Sequence, residues 1–346
     1  MKKAAVIGHF AFGREYLDGQ TVKTKILAEE LKNHLGEKEV TSIDTHGGAK
    51  AMPKILLKCL SALKKHENVV SLPAQNGVKI VVPWLVFFNK FFHRKLHYVV
   101  IGGWLSEFLK NKKGLVKKLG KLDGIYVETT SMKNALEEMG FDNIVVMPNC
   151  KKLDILKEDE IVYPKGEPYK LCTFSRVMKE KGIEDAVNAV KAVNEHYGRT
   201  VYKLDIYGQV DGGQTEWFEK LKSEFPDYVT YGGLVPFDKS VEVLKNYFAL
   251  LFPTKYFTEG IPGTFIDAYA AGVPVITALW MNSGDVFEDG VQGYGYEFGK
   301  TEELERILKD VAANVESFND IKLNCTVKAR DYLPETAVKK LIQNLK

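Results

Sequence analysis

Several features that would narrow the function of this chain are missing from its sequence. No run approaches the roughly 18–20 consecutive apolar residues that a membrane-spanning helix needs. The first residues lead into a short strand-like segment and not into the apolar core of a signal peptide. The sequence also contains no internal repeat and no low-complexity segment. We therefore expect a globular protein that resides in the cytoplasm.

Cysteine is scarce, and a common nucleotide-binding motif is absent. The cysteines are Cys59, Cys150, Cys172 and Cys325, whose spacing fits neither a metal site nor a redox pair, so we expect free thiols in a reducing compartment. The first strand is not followed by G-x-G-x-x-G, although Asp44 stands where a ribose-binding acid would. This disfavours a dehydrogenase.

The charge that is present is unevenly distributed. The 346 residues, 45% of them apolar, suffice for two domains with separate cores. The net charge is +3, but residues 51–121 carry 14 Lys and Arg against two acids, a balance of +12, which leaves −9 for the rest. Such a basic region is typical of proteins that meet nucleic acid, anionic lipid head groups or polyphosphorylated ligands. Solvated lysines on exposed helix faces would give the same composition.

Short apolar segments alternate with helical periodicities along the chain. In the first half, strands are predicted over residues 3–7, 40–43, 68–72, 97–101, 124–127 and 143–147, with helices over 22–35, 51–65 and 132–139 between them. The pattern restarts in the second half, with strands over 171–174, 202–207, 228–231, 248–252 and 273–276 and a helix over 183–193. This alternation predicts parallel, doubly wound sheets, whose ligands lie at the carboxyl ends of the strands.

Composition also suggests where the domains end. Residues 151–169 are rich in Lys, Glu, Asp and Pro without periodicity, which predicts a linker between domains over 1–150 and 170–330. Residues 286–299 are glycine-rich and are predicted to be loop-rich. The tail, 331–346, is predicted to be a helix with one apolar stripe: Leu333, Ala337, Leu341 and Leu345.

The most informative stretch begins at Glu259. Pro262 and Gly263 suit the start of a helix whose exposed amides would bind an anion. Glu259 precedes this helix and Asp267 lies about a turn and a half into it, so the carboxylates should stand about 8–12 Å apart. A diphosphate would fit between them on the amides near Gly263 and Thr264, while each carboxylate accepts hydrogen bonds from a hydroxyl-bearing ring. Alternatively, Glu259 only caps the helix and Asp267 is only a solvated acid.

Residues 259–276 resemble the donor-site signature of retaining glycosyltransferases of family GT4, which have the GT-B fold. That signature is Glu, seven residues, then Glu, and here Asp267 takes the second place. Two further segments resemble the family: Ser175-Arg176-Val177 with Lys181-Gly182 is similar to its basic diphosphate clamp, and Met147-Pro148-Asn149 to the Pro-Asn that closes its N-terminal domain.

The resemblance implies an α/β protein of GT-B fold, in which two Rossmann-like, doubly wound domains face a central cleft. The domain over 1–150 would receive the acceptor and the domain over 170–330 the donor, and the C-terminal helix would return to the N-terminal domain. The implied reaction moves a hexosyl or N-acetylhexosaminyl group from a nucleotide-diphosphate sugar, with a UDP-sugar favoured. The acceptor would be a glycan or a lipid-diphosphate-linked sugar of surface polysaccharide synthesis. Neither a cofactor besides the donor nor a nucleic acid partner is expected.

The resemblance also assigns residues to roles. Glu259, Arg176 and Lys181 would be catalytic, the two cations by neutralising the departing diphosphate. The donor would be bound by Asp267, Gly263, Thr264, Ile261, Pro262, Gly208, Leu234 and Gly19. The absence of Asp-x-Asp fits a metal-independent site. A retaining mechanism needs no separate base, so none is assigned to His9. The strand that closes with Ile101-Gly102-Gly103-Trp104 lacks the histidine that many GT4 enzymes have there, and Trp104 either stacks on a sugar or belongs to the core.

The segment from Trp84 to Lys95 combines many aromatic residues with basic residues at its end. A buried helix explains the aromatic residues, and so does a helix at a membrane interface. The charge excess around it favours an acceptor domain that faces the inner surface of the membrane. Two other functions remain open: a nucleotide-sugar epimerase of the same fold, and a two-domain protein that binds a ligand without turning it over.

Overall fold

The computed structural model describes residues 1–14 and 19–345, which divide into two compact units. Unit 1 consists of Met1–Lys152, Thr258–Gly263 and Tyr332–Lys346, and unit 2 of Leu153–Phe257 and Thr264–Asp331. The segment between Gly8 and Gly19, which follows the first predicted strand, lies partly outside the described residues.

The strands of unit 1 are β1 (Lys2–Gly8), β2 (Val40–Asp44), β3 (His66–Ser71), β4 (Lys95–Val99), β5 (Gly124–Val127) and β6 (Ile144–Val146). The helices between them are α1 (Gly19–Leu35), α2 (Gly48–Lys65), α3 (Gln75–Phe92), α4 (Leu105–Leu109), α5 (Lys113–Leu119) and α6 (Thr130–Glu137). Helix α1 ends before Gly36, whose φ of 102° suits a residue without a Cβ.

The strands of unit 2 are β7 (Tyr169–Phe174), β8 (Tyr202–Tyr207), β9 (Val229–Gly233), β10 (Ala249–Phe252), β11 (Val275–Leu279) and β12 (Gly293–Glu297). Its helices are α7 (Ile183–Tyr197), α8 (Thr215–Ser223), α9 (Ser240–Leu244), α10 (Gly263–Ala270), α11 (Glu302–Ala313), α12 (Val315–Asp320) and α13 (Lys322–Ala329). Gly263, the first residue of α10, is assigned to unit 1.

Unit 1 is built on a parallel sheet with the strand order β2-β1-β3-β4-β5-β6. Apolar residues pack on both faces of this sheet. One core includes Val69, Leu85 and Leu96, and the other Val6 and Leu27. Coverage of both faces explains why strands such as β5 read as continuous apolar runs without alternation.

The C-terminal tail packs into unit 1, although it is not the single helix that the apolar stripe predicts. A 3₁₀ turn (Arg330–Tyr332) leads into two short helices, α14 (Pro334–Ala337) and α15 (Lys339–Asn344). Pro334 opens α14 because a proline needs no N–H partner in the first turn of a helix. Three of the four stripe residues are buried in the second core of unit 1: Ala337, Leu341 and Leu345. The predicted return of the tail to the N-terminal core is therefore confirmed.

Unit 2 is also built on a parallel sheet, in the order β12-β11-β10-β7-β8-β9. Its core includes an aromatic cluster in which the ring of Phe265 packs against those of Phe252, Tyr269 and Trp280. Phe265 and Tyr269 lie one helical turn apart on α10, which fixes this helix against β10 and the segment after β11.

Residues 286–299 are loop-rich, as predicted, but they also contain the edge strand β12, which the sequence did not predict. This strand pairs with β11 along its whole length. Gly293 has a φ of 146°, and a Cβ at this position would overlap the carbonyl oxygen of Val275. The glycine that suggested a loop is instead required by the close approach of two strands.

The four cysteines are buried and form no disulfide. Burial raises the pKa of Cys59 to about 12 and that of Cys150 to about 11, so these thiols stay protonated at neutral pH. Across residues 1–14 and 19–345, no helix combines the length and the apolar character that are needed to cross a membrane.

Candidate functional site

The strand order of unit 2 indicates where a ligand site is expected. From β7 the chain moves outward through β8 and β9, whereas β10, β11 and β12 extend in the opposite direction, so the order reverses between β7 and β10. In open parallel sheets, ligands bind beside the carboxyl ends of the strands at such a reversal. Arg176 comes two residues after the end of β7, and Glu259 lies in the loop that follows β10.

The two predicted cations lie on the segment that follows β7. The Nη1 atom of Arg176 is 3.6 Å from a carboxylate oxygen of Asp211, and half of the arginine side chain is exposed. The Nζ atom of Lys181 lies 5.4 Å from the ring centroid of Phe252 and 5.2 Å from that of Tyr256. Because Phe252 ends β10, Lys181 stands at the carboxyl end of that strand. Both cations are therefore at the edge of the sheet where the strand order predicts a ligand.

A glycine allows the segments after β7 and β10 to touch. Gly182 has a φ of 69°, and a Cβ on it would overlap the carbonyl of Pro253. The backbone N–H of Lys255 also donates to the carbonyl of Glu180 at 2.8 Å. In the predicted Lys181-Gly182 pair, the cation is therefore followed directly by the glycine that lets the segments after β7 and β10 come into contact.

Helix α10 begins at Gly263, one residue later than the predicted start at Pro262. Gly263 is half-buried, and the nearest atom to a Cβ built on it is Lys151 Cδ at 3.7 Å, also in unit 1. In the described structure, the buried Oγ1 atom of Thr264 has no hydrogen-bond partner. Leaving a buried hydroxyl unsatisfied costs about 1–3 kcal/mol, so a ligand oxygen bound here would remove a penalty.

Asp267 is only 2% exposed, and its Oδ1 atom accepts a hydrogen bond from Ser240 Oγ at 2.9 Å. The alternative of a solvated acid is therefore wrong. Ser240 opens α9, so this hydrogen bond fixes the orientation of the carboxylate against a second helix. The sequence pattern did not identify Ser240.

Two residues predicted to bind the donor, Gly208 and Leu234, lie just after the ends of β8 and β9. Gly208 has a φ of 135°, and a Cβ on it would overlap the carbonyl of Ser175. Its N–H donates to the Gly233 carbonyl at 2.9 Å, and its own carbonyl accepts from Tyr231 Oη at 2.9 Å. Gly208 thus joins the ends of three strands, and Leu234, just past β9, is exposed.

The loop that carries Glu259 is held by residues of unit 1, to which it belongs. Glu259 is half-buried. The Ile261 N–H donates to Glu128 Oε2 at 3.1 Å, and the Ile261 carbonyl accepts from Asn149 Nδ2 at 3.0 Å. A Cβ on Gly260 would overlap Glu128 and would lie 2.9 Å from the Cα of Gly102. Asn149 of the sequence pattern therefore contacts the loop that carries Glu259, and Ile261 is bound through both backbone groups.

Glu128 is in turn paired with a buried lysine. The Nζ atom of Lys23, on α1, is 2.7 Å from Glu128 Oε1, and both side chains are 2% exposed. Lys23 Nζ also donates to the Val100 carbonyl at 3.3 Å. A buried pair is sustained only when further hydrogen bonds satisfy both charges, which Val100 and Ile261 supply here. No sequence motif identifies this pair, although Glu128 directly follows β5, where ligand-facing residues are expected.

The carboxyl ends of β1 and β2 carry a second polar group in unit 1. The Asp44 carboxylate accepts hydrogen bonds from the backbone N–H groups of Phe10, Ala11, Phe12 and His46, at 2.9–3.2 Å. Burial raises the pKa of Asp44, but these hydrogen bonds outweigh it and bring the pKa below its ordinary value. Asp44 therefore fixes the conformation of the loop after β1. This structural role explains why an acid stands at the position where a ribose-binding acid would be expected.

His9 lies at the end of β1 between two partners. Its Nδ1 atom is 2.7 Å from Thr21 Oγ1, and its Nε2 atom is 3.0 Å from His46 Nδ1. Gly19, predicted to face the donor, is exposed at the first residue of α1. Trp104 donates from Nε1 to the Ile101 carbonyl at 2.8 Å and packs edge-on against Phe108.

Comparisons with known proteins agree with this arrangement. Residues 154–325, just under half of the chain and most of unit 2, match the family described as Glycosyl transferases group 1. No curated protein matches the chain.

Three solved structures illustrate the similarity. HepE (Alr3699) of Anabaena in complex with UDP-glucose is 12% identical, with a TM-score of 0.74 over 99% of this chain and 98% of that one. The lipopolysaccharide outer core galactosyltransferase WaaB is 17% identical, with a TM-score of 0.70 over 99% of each chain. The pneumococcal O-GlcNAc transferase GtfA in complex with UDP and GlcNAc is 18% identical, with a TM-score of 0.67 over 84% of this chain and 59% of that one. At these identities the similarity establishes the fold, and the predicted GT-B fold is confirmed.

Proposed function

We propose that this chain is a retaining glycosyltransferase similar to those of family GT4. It would transfer a hexosyl or N-acetylhexosaminyl group from a UDP-sugar to a glycan or lipid-linked acceptor of surface polysaccharide synthesis. The match of residues 154–325 to Glycosyl transferases group 1 carries the proposal, because this segment contains both cations and helix α10. The structures of HepE with UDP-glucose and of GtfA with UDP and GlcNAc support a UDP-sugar as the donor.

The donor diphosphate would bind where the order of strands reverses in unit 2. Negative charge develops on the diphosphate as its bond to the sugar breaks. Arg176 offers a planar fork to two phosphate oxygens, and Lys181 a compact charge. The N–H groups at the start of α10 add the positive end of the helix dipole, and the unsatisfied Thr264 hydroxyl could bind a further oxygen.

The two acids would bind the hydroxyls on either side of the diphosphate. Glu259 would accept hydrogen bonds from the donor sugar, on a loop whose backbone is fixed at Ile261. Asp267 would lie on the ribose side, with its carboxylate oriented by Ser240. Charge-assisted hydrogen bonds of this kind are about twice as strong as neutral ones, so both contacts would orient the donor.

The proposed transfer takes place on one face of the sugar. The bond from the anomeric carbon to the diphosphate breaks while the acceptor oxygen bonds to the same carbon from the same side. The acceptor proton moves to the departing diphosphate oxygen, so the protein needs no separate base. Arg176 and Lys181 would stabilise the diphosphate without a metal ion, and activity should persist in EDTA.

A radiolabelled donor tests the proposal against the two alternatives. The full chain is incubated with labelled UDP-glucose or UDP-GlcNAc, in EDTA, together with glycan and lipid-linked acceptors. Label that moves to an acceptor with the anomeric configuration retained supports the proposal. An altered sugar still attached to UDP would indicate an epimerase, and donor that binds but stays unchanged would indicate a binding protein. Loss of transfer in EDTA and its return with Mn²⁺ would contradict the metal-free account.

We also propose that unit 1 associates with the inner face of the membrane. In helix α3, Leu85 and Val86 are buried, whereas Ile80, Phe87 and Phe91 are exposed on one stripe. Phe91 is 71% exposed, and Leu57 on α2 is 67% exposed. The aromatic segment thus contributes to the core and to the surface at once. Exposed aromatic residues beside lysines are typical of helices that lie in a membrane interface.

A further inference from the structure

A lysine-lined cavity opens in unit 1 at the edge of the sheet opposite the carboxyl ends of its strands. Its volume is about 800 Å³, and it is bounded by the first half of β2, the starts of β1 and β3 and the C-terminal half of α2. Among the described residues, its lining includes no carboxylate but four lysines: Lys2, Lys58, Lys64 and Lys65. Three hydroxyl-bearing residues complete the polar lining: Thr41, Ser42 and Ser61.

Hydrogen bonds fix one wall of this cavity. His66 is buried, and its Nδ1 atom lies 3.1 Å from the Ala62 carbonyl, which can only accept, so Nδ1 carries the proton. Its Nε2 atom then accepts from Thr41 Oγ1 at 2.8 Å. The Thr41 oxygen in turn accepts from the ammonium group of Lys2 at 3.3 Å. Lys2 is therefore held at the cavity wall by a chain of hydrogen bonds that ends on backbone.

The positive charge of the cavity is not neutralised within the described part of the protein. There, Lys58, Lys64 and Lys65 form no ion pair, whereas the neighbouring Lys3 is paired with Glu67 at 3.0 Å. Burial lowers the pKa of His66, and its hydrogen bond to Ala62 raises it. The charges of Lys2 and Lys65 act in the same direction as burial, and the pKa of His66 lies below its ordinary value.

We propose that this cavity is a second anion site, which binds a phosphate-bearing group through Lys2, Lys64 and Lys65. A phosphate would take the place of the missing carboxylates by accepting hydrogen bonds from the ammonium groups and from the hydroxyls on the wall. None of the residues that line this cavity is among those proposed to bind the donor, and the inference does not depend on the transferase proposal. Two sources have this chemistry: free phosphate or diphosphate, and the head group of an anionic phospholipid.

The test uses the full chain with pyrophosphate as the probe and with excess UDP present to occupy a donor site. Binding is followed by calorimetry and by the ring resonances of His66, which report on this cavity alone. The variant Lys64→Gln/Lys65→Gln removes two adjacent lysines from the last turn of α2. The matched control is Lys117→Gln/Lys118→Gln, an adjacent pair in the last turn of α5. Thermal unfolding of both variants confirms that they remain folded.

The two sources give different results. If free phosphate is the ligand, pyrophosphate shifts the His66 resonances, and the first variant weakens binding about 25-fold, since each lysine in contact contributes roughly a factor of five. If a head group is the ligand, vesicles of phosphatidylcholine with phosphatidylglycerol bind instead, with the same dependence on Lys64 and Lys65, and pure phosphatidylcholine vesicles do not. Equal effects of the two variant pairs, or no binding in either arm, would overturn the proposal.

Discussion

Units 1 and 2 are both parallel six-stranded sheets covered by helices, but they place different chemistry at the carboxyl ends of their strands. In unit 2 these ends carry cations that remain accessible, such as the half-exposed Arg176. In unit 1 they carry the fully buried pair Lys23–Glu128 and the carboxylate of Asp44, which is saturated by backbone N–H groups. The cations of unit 2 are accessible to a ligand, whereas the charges of unit 1 hold loops in place.

The largest effect expected from this comparison is in unit 1. Glu128→Gln would leave the Lys23 charge buried without a counter-charge, so we expect the free energy of unfolding to fall by about 3–5 kcal/mol in urea denaturation. The control is Glu67→Gln in the half-exposed Lys3–Glu67 pair, which should lower it by no more than about 1 kcal/mol.

A double variant separates stability from positioning. Lys23→Met/Glu128→Met removes both charges and should recover much of the lost stability, because apolar residues often replace a buried pair without penalty. It lacks the acceptor for the Ile261 N–H, so we expect its kcat to be lower than that of the wild-type chain. Recovery of both stability and kcat would show that the pair does not position the Glu259 loop.

In unit 2, the cations should affect the rate and not the fold. We expect Arg176→Ala and Lys181→Ala each to lower kcat by roughly 10²-fold or more, as the loss of charge stabilisation in a transition state does. Arg199→Ala is a matched control, because Arg199 is also about half exposed and is paired with an acid, Glu167. If Arg199→Ala reduced kcat as much as Arg176→Ala, the assignment of Arg176 to the diphosphate would be wrong.

The two acids around α10 should differ from each other. We expect Glu259→Gln to lower kcat, and Asp267→Asn mainly to raise the KM for the donor, each by an amount near the 1.5–3 kcal/mol of a hydrogen bond to a charged group. Steady-state kinetics with varied donor measures both parameters. Unchanged kinetics in both variants would remove these acids from the donor site.

The difference between the units also explains what the sequence could predict. Apolar segments and helical periodicities predict both sheets, since those signals are local. Glu259, Arg176 and Lys181 could be identified because they lie within short motifs after strands, and Asp267 because of its spacing from Glu259. Lys23 and Glu128 are 105 residues apart, and neither stands in a recognisable motif, so only the folded chain brings them together. The strand β12 was missed because Gly293 serves close packing and not a turn.

The smallest effects concern the surface of unit 1 that we propose to face the membrane, because each Lys or Arg near an anionic bilayer contributes roughly 1 kcal/mol. Lys90 is exposed on α3 and lies 5.8 Å from the ring centroid of Phe87, whereas the Nε atom of Arg94 donates to the Leu63 carbonyl at 3.0 Å. We therefore expect charge reversal at Lys90 to weaken sedimentation with anionic vesicles more than charge reversal at Arg94, which is held by the protein.

The apolar part of this surface can be tested separately. At low ionic strength the wild-type chain should sediment with phosphatidylglycerol-containing vesicles but not with neutral ones, and added salt should release it, because screening weakens exposed charges. Phe91→Ser should weaken this binding without lowering the free energy of unfolding, since most of the ring is already exposed. If the wild-type chain sedimented with neither vesicle type, a soluble acceptor would be favoured. The exposed phenylalanines would then need another partner.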